Sequence, residues 1–180
     1  MKTYLDKNVY EAALERIAYC FQEFDNVLVA FSGGKDSGVL LNLCYNYADE
    51  HGLLDKLTMY HLDYEAQYQM TTEYVTRTFL EQFPGIRKMW YCVPIKAQSA
   101  CALGEPYWTP WDAAKKKLWV RAMPENPYVV HEGNLDVPFR HGMVDYEFQD
   151  KLSRHFAKKR GTTAVMVGLR ADESLNRYAA

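Results

Sequence analysis

Cysteine is scarce in this sequence, with four residues in 180. Cys20, Cys44, Cys92 and Cys101 form no C-x-x-C pair, and no histidine stands near Cys92 or Cys101 at metal-ligand spacing. That argues against a disulfide framework and leaves neither a zinc set nor an iron–sulfur set to expect. Cys20 and Cys44 fall on the apolar faces of expected helices, where they serve as small hydrophobes. An excess of one charge is missing too: 21 Lys and Arg stand against 23 Asp and Glu, a formal charge of −2. A general nucleic-acid binder is usually basic, so nucleic acid is disfavoured as a partner. Lys115-Lys116-Lys117 and Lys158-Lys159-Arg160 are local basic runs, read first as solvated faces and otherwise as polyanion sites. No apolar run approaches membrane-spanning length, and Met1-Lys2-Thr3-Tyr4 opens no apolar leader. A cytoplasmic location without a membrane partner is expected. What the chain does have is apolar content, 48% of residues, enough for the core of one domain over 1–180.

The most informative stretch is Ser32-Gly33-Gly34-Lys35-Asp36-Ser37, preceded by the apolar run Val27-Leu28-Val29-Ala30-Phe31. Leu40, Leu43, Cys44 and Tyr47 follow at helical spacing. A buried strand therefore runs into a glycine turn that opens an amphipathic helix. Adjacent glycines permit unusual φ values and keep side chains away, so backbone N–H groups and the positive helix end make a phosphate site. Lys35 adds a mobile cation, Asp36 a carboxylate able to hold Mg²⁺, and Ser32 and Ser37 hydroxyl donors. The spacing fails the nucleotide-triphosphate pattern G-x-x-x-x-G-K-[ST]. It resembles the pyrophosphate-binding loop, S-G-G-x-D-S, of the adenine-nucleotide alpha-hydrolase superfamily.

Val9, Ala13, Ile17, Cys20, Phe21 and Phe24 share one face of a first helix over 6–24. Strands are expected over 26–31, 57–63 and 86–95, with a helix after the loop and another stopped by Pro84-Gly85. This β-α-β-α-β spacing suits right-handed crossovers in a parallel sheet. Residues 96–143 break the rhythm, being rich in Pro, Trp, Tyr and Gly, and read as an insertion over the sheet. Tyr107-Trp108-Thr109-Pro110-Trp111 and Trp119 there are either a satellite core or a lid over a ligand crevice, hinged near Gly104 and Gly133. Phe148, Leu152, His155 and Phe156 then mark a helix, and Thr163 to Leu169 a fourth strand.

After that strand comes Gly168-Leu169-Arg170-Ala171-Asp172-Glu173-Ser174, with Arg177 beyond it. Ligands of open parallel sheets bind at the carboxyl ends of strands near the switch in strand order, so this segment and the glycine loop can face one crevice. Arg170 and Arg177 present forked donors suited to sulfate or phosphate. With Asp63 ending the second strand, the pattern resembles the phosphoadenosine-phosphosulfate reductase family. Within it the chain is most similar to the branch of predicted phosphoadenosine-phosphosulfate sulfotransferases that includes the immunoglobulin-binding-regulator proteins.

The resemblance implies an α/β fold, an open doubly wound parallel sheet of order 3-2-1-4 that binds an adenine nucleotide. The implied binding set is Ser32, Gly33, Gly34, Lys35, Asp36, Ser37, Leu62, Asp63, Gly168, Arg170, Glu173 and Ser174. The backbone of Leu62 and Asp63 would meet the adenine edge, and the Asp63 side chain the ribose or metal. If the ligand is ATP, attack falls on the α-phosphorus and pyrophosphate leaves, with Mg²⁺ neutralising developing charge. Lys35 then stabilises the leaving group, Asp36 supports the metal, and Arg170 and Arg177 hold the acceptor. If it is 3′-phosphoadenylyl sulfate, the same parts hold its phosphates and sulfate, and attack on sulfur needs a thiol from elsewhere. Family reductases carry a cysteine in a segment like E-C-G-L-H, which this sequence lacks, so reductase chemistry is not supported. The chain stops soon after Arg177, which suggests the N-terminal part of a longer member. A sulfate adenylyltransferase-like subunit, a nucleic-acid thiolation enzyme, and a non-catalytic nucleotide sensor acting with a protein partner or as a homodimer are the alternatives.

Overall fold

A computed structural model describes residues 6–99 and 104–169. Helix α1 (Val9–Glu23) opens with a capping box. Asn8 Oδ1 accepts from Glu11 N–H at 2.9 Å and Glu11 Oε2 from Asn8 N–H at 3.1 Å, so two orphan donors are satisfied reciprocally. There follow β1 (Asn26–Ala30), α2 (Lys35–Glu50), β2 (Leu57–Leu62), α3 (Gln69–Glu81) and β3 (Arg87–Cys92). Strands β4 (Ala97–Gln98) and β5 (Tyr107–Trp108) form a small antiparallel pair. Strand β6 (Val129–His131), helix α4 (Asp145–Arg160) and β7 (Thr163–Val167) complete the described chain.

The main sheet has five parallel strands in the order β6-β3-β2-β1-β7. The four strands expected from sequence stand in the order expected of them, β3-β2-β1-β7. Strand β6 is the addition. It comes from the segment read as aperiodic and extends the sheet beside β3, with Trp90 opposite Val129 and Cys92 opposite His131. Three residues are too few to display a period, and pairing with β3 is what makes them a strand.

Alternation along the strands sorts side chains onto two faces. Val27, Val29 and Phe31 of the β1 segment pack with Met59 of β2 and Trp90 of β3 against α1, α2 and α3. Leu28, Tyr60, Leu62 and Tyr91 face the other way, onto Phe148, Leu152 and Phe156 of α4. All six residues of β2 are buried, as expected of a strand covered on both sides. Two lysines close helix ends from within: Lys56 Nζ donates to the carbonyls of Phe21 and Phe24 at 3.0 and 3.1 Å. Lys88 Nζ likewise donates to the carbonyls of Phe79 and Gln82, at 2.8 and 2.5 Å. These satisfy the terminal carbonyls of α1 and α3.

The aromatic segment is fastened to the carboxyl end of β2. Trp111 is 2% exposed, packs edge-on against Trp119 at 5.1 Å, and donates from Nε1 to the Asp63 carbonyl at 2.9 Å. The Glu65 carboxylate accepts from Trp111 N–H at 2.8 Å and Val120 N–H at 2.9 Å. Glu65 and Trp111 both take positive φ, 65° and 55°. Such conformations persist only where the surroundings fix them, and this hydrogen-bonded knot does so. Trp111 and Trp119 are therefore scaffold, not a lid.

Candidate functional site

The glycine loop spans the gap between β1 and α2. Gly33 has φ +81°, and a Cβ there would lie 2.7 Å from Val75 Cγ2 and 3.0 Å from Thr71 Cγ2. Both the backbone conformation and the approach of α3 require glycine. Gly34 caps α2 without a side-chain hydrogen bond, so the first N–H groups of the helix lack a side-chain acceptor. The serines brace the loop from inside. Ser37 Oγ donates to the Gly34 carbonyl at 3.0 Å and accepts from Ser32 N–H at 3.2 Å. It also lies 3.0 Å from Ser32 Oγ, which accepts from Gly34 N–H at 3.3 Å. Because the proton of Ser37 goes to Gly34, Ser32 is the donor in the serine pair. Both hydroxyl protons are thus spent within the loop, and the donors facing outward are backbone amides and Lys35. The Lys35 side chain is 79% exposed, with Nζ 3.8 Å from Asp36 Oδ1.

A cavity of about 350 Å³ opens over this loop, within the roughly 300–1,000 Å³ of small-molecule sites. Ser32, Gly34, Lys35, Asp36 and Ser37 form one wall, and Gly168 and Leu169 at the end of β7 another. The two walls touch through backbone: a Cβ on Gly168 would sit 2.8 Å from Ser37 N and 2.9 Å from Asp36 O. The cavity lies at the carboxyl ends of β1, β2 and β7, beside the point where the strand order reverses.

Three polar wall residues are not among the site residues expected from sequence. Tyr60, Tyr64 and Gln149 line the cavity together with Leu62. Tyr60 Oη donates to Gln149 Oε1 at 3.1 Å, and Tyr64 Oη to Asp145 Oδ2 at 3.0 Å. Burial pushes the Tyr60 phenol up to about 12, and burial with the Asp145 charge raises that of Tyr64. Both rings therefore stay protonated, with their hydroxyl protons committed to Gln149 and Asp145, and they offer the cavity apolar faces, not phenolate bases. Period-two spacing of 60, 62 and 64 is the signal that would have found the tyrosines. For Gln149 the sequence carries none.

Asp63 departs from expectation. It follows β2 at the carboxyl end, next to β1, but its side chain points to the face opposite Leu62, away from the cavity. There it is fully buried, accepting from Arg121 Nη2 at 2.5 and 2.7 Å, Trp90 Nε1 at 2.7 Å and Glu65 N–H at 2.8 Å. A carboxylate so engaged is a structural anchor and does not reach a ribose or a metal in the cavity. His61 shares that face. Its Nδ1 lies 2.8 Å from the Phe31 carbonyl and takes the proton, while the buried Nε2 has no hydrogen-bond partner among the described residues.

None of the described thiols lines the cavity. Burial pushes Cys44 up to about 12 and also raises Cys20 and Cys92, the last further lifted by the Asp63 charge. Such thiols are poor nucleophiles. Among the described residues no group of three or more His, Cys, Asp or Glu is placed to hold a metal. Asp36, alone at the loop, suits Mg²⁺ that arrives with nucleotide phosphates better than a resident ion. No described helix is long and apolar enough to cross a membrane. Arg170, Glu173, Ser174, Arg177 and Cys101 lie outside the described residues.

The sequence profile of the phosphoadenosine phosphosulfate reductase domain matches residues 26–180, from the first residue of β1 onward. The chain belongs to this family. Its five-stranded parallel sheet is consistent with the adenine-nucleotide alpha-hydrolase-like fold. The chain is also 33% identical over 178 residues to the "Uncharacterized protein YbdN" of Escherichia coli (strain K12). That alignment takes in 98% of this chain and 42% of the relative, so the chain spans about two-fifths of the relative's length.

Proposed function

We propose that this family member binds ATP over the glycine loop and directs attack on its α-phosphorus, with pyrophosphate leaving. The observation that carries the reading is the start of α2, which has no side-chain cap and opens onto a 350 Å³ cavity at the strand switch. Backbone amides of the loop and Lys35 hold the β and γ phosphates, and the helix end supplies positive potential. The base lies against Tyr60, Leu62 and Tyr64. Mg²⁺ travels with the phosphates as part of the substrate and meets Asp36. Arg170 and Arg177, carried past the end of β7, hold the acceptor anion.

Family membership supports a second ligand, 3′-phosphoadenylyl sulfate, and the sulfotransferase-like branch rests on the sequence resemblance alone. The described lining has no thiol, so the sulfuryl acceptor in that case is a second substrate and not a described cysteine. The relative is longer than this chain, and in our reading further polypeptide or a partner completes the acceptor site that Arg170 and Arg177 begin.

The test measures pyrophosphate release from ATP and 3′,5′-bisphosphate release from phosphoadenylyl sulfate, with calorimetric affinities for both. Lys35→Ala is expected to weaken the preferred nucleotide about 10- to 100-fold, the loss of one charge-assisted contact. The thermal midpoint should not change, because the side chain is solvent-facing. Unchanged affinity in the variant refutes the loop assignment, and binding without turnover of either nucleotide identifies a sensor.

A further inference from the structure

A second cluster of cations stands at the other end of the molecule. Arg87 begins β3 at the amino end of the sheet, and His155, Lys159 and Arg160 lie in the last turns of α4. All four line a cavity of about 120 Å³ with Tyr91 and Asp136. Helix α4 has 16 residues and spans about 24 Å, and its first turns carry the Asp145 and Gln149 partners of the nucleotide cavity. The two cavities are therefore separate.

The charges in this cluster do not balance among the described residues. Asp136 is the only carboxylate in the lining, and it is taken: Lys159 Nζ donates to Oδ2 at 2.7 Å, and His155 Nε2 stands 3.6 Å from the same oxygen. The Lys159 hydrogen bond is the main cause holding Asp136 below its usual range. Arg87 donates to Thr58 Oγ1 at 3.2 Å, and Arg160 lies over the Phe156 ring at 5.4 Å. Neither guanidinium has a carboxylate partner among the described residues. Burial, and then the charge of Arg160, push Arg87 below its ordinary value. Tyr91 is 2% exposed, and among the described residues its hydroxyl donates to the Met89 thioether, at 3.2 Å, a weak acceptor. His155 Nε2 is buried and, at 3.6 Å from Asp136 Oδ2, has no hydrogen bond among the described residues. A half-buried Arg87 and buried donors on Tyr91 and His155, with the exposed Arg160 at the rim, call for an anion.

We propose that Arg87, Arg160, Tyr91 and His155 form a binding site for one tetrahedral oxyanion, a phosphate or sulfate group. Forked guanidinium donors match its oxygens, and a 120 Å³ cavity is well below the roughly 300 Å³ at which drug-sized sites begin. The site takes a free oxyanion or the end group of a small monoester, and not a nucleoside.

The experiment is a titration of the whole chain with inorganic sulfate, inorganic phosphate and glycerol 2-phosphate at constant ionic strength. The Arg87 and Arg160 side-chain Nε–H signals are followed by NMR, with the Gly34 and Ser37 amides as separate reporters of the nucleotide loop. Saturable shifts are expected at both arginines. Affinity should fall about tenfold or more in Arg87→Met and Arg160→Gln and stay unchanged in Lys35→Ala. Tighter binding of glycerol 2-phosphate identifies the source as a phosphorylated organic molecule, and tighter binding of the inorganic ions a free oxyanion. Arg160 is exposed, so its variant keeps the fold should Arg87→Met lose it. A non-saturating drift shared by all surface arginines, or equal affinity in Arg160→Gln, overturns the proposal.

Discussion

Replacing Arg121 by Met tests the anchor beneath the aromatic segment. The Arg121 side chain is 21% exposed and Asp63 is fully buried, so the substitution leaves a buried carboxylate without its cation. Breaking such a pair typically costs about 3–5 kcal/mol. Asp63 keeps its bonds from Trp90 and the Glu65 amide, which places the expected loss at the low end, about 3 kcal/mol. Arg121 also donates from Nε to the Glu65 carbonyl at 2.9 Å and stacks over Trp111 at 4.8 Å, contacts that Met only partly replaces. For a chain of 180 residues that loss is about 6–12 °C in Tm. The assay is urea unfolding, read beside proteolysis of residues 104–128, whose cleavage should accelerate. The companion is Asp63→Asn/Arg121→Met, which removes the charge with its partner and should recover part of the stability. A cost below about 1 kcal/mol for Arg121→Met, the range of exposed ion pairs, would refute the account of Asp63 as a buried anchor.

Gly168→Ala should lower both Tm and nucleotide affinity, because its Cβ would press on backbone atoms of Asp36 and Ser37 that cannot rotate away. Overpacking of this kind costs about 1–3 kcal/mol, and calorimetry showing wild-type affinity would remove the contact between β7 and the loop from the site. His61 gives a pH signature. Burial depresses its folded value more than Asp63 raises it, while Arg121 lowers it further. Above about pH 6.5 the imidazole is neutral in both states. Below that the unfolded chain gains a proton that the folded one refuses, so stability falls by about 1.4 kcal/mol per pH unit until the folded value is reached. In His61→Asn, which retains a donor for the Phe31 carbonyl, that increment of slope should vanish from unfolding curves between pH 5 and pH 6.5, and an unchanged slope would assign it elsewhere.

Local signals carried much of this reading. The apolar run before Gly33, the helical spacing after Lys35 and the repeat through β3 each sit within a few residues, and the structure has them in that order. What escaped depends on distant pairing. Arg121 and Asp63 are 58 residues apart, and nothing in a segment full of Trp and Pro marks one arginine as the partner of a buried carboxylate. Asp63 matches the family pattern as an acidic residue ending the second strand, which fixes where the backbone goes but not which face the side chain takes. The run 57–63 is buried on both sides and carries polar and apolar residues on each, so the alternation that separates Asp63 from Leu62 is invisible in hydropathy. Strand β6 escapes the sequence through the same dependence on distant pairing: it is a strand by virtue of its neighbour β3.

The alternation of β2 has a consequence for how this protein can change over generations. Met59, His61 and Asp63 belong to the scaffold, while Tyr60, Leu62 and Tyr64 look into the cavity. Two sets of instructions are thus interleaved along one short stretch of code. Point substitutions at the even numbers can retune what the cavity accepts while the odd numbers hold the architecture. A single-codon insertion or deletion within the strand exchanges the two sets at once, since every side chain beyond it changes face. Diversification of this cleft is therefore open to substitution and closed to shifts in length.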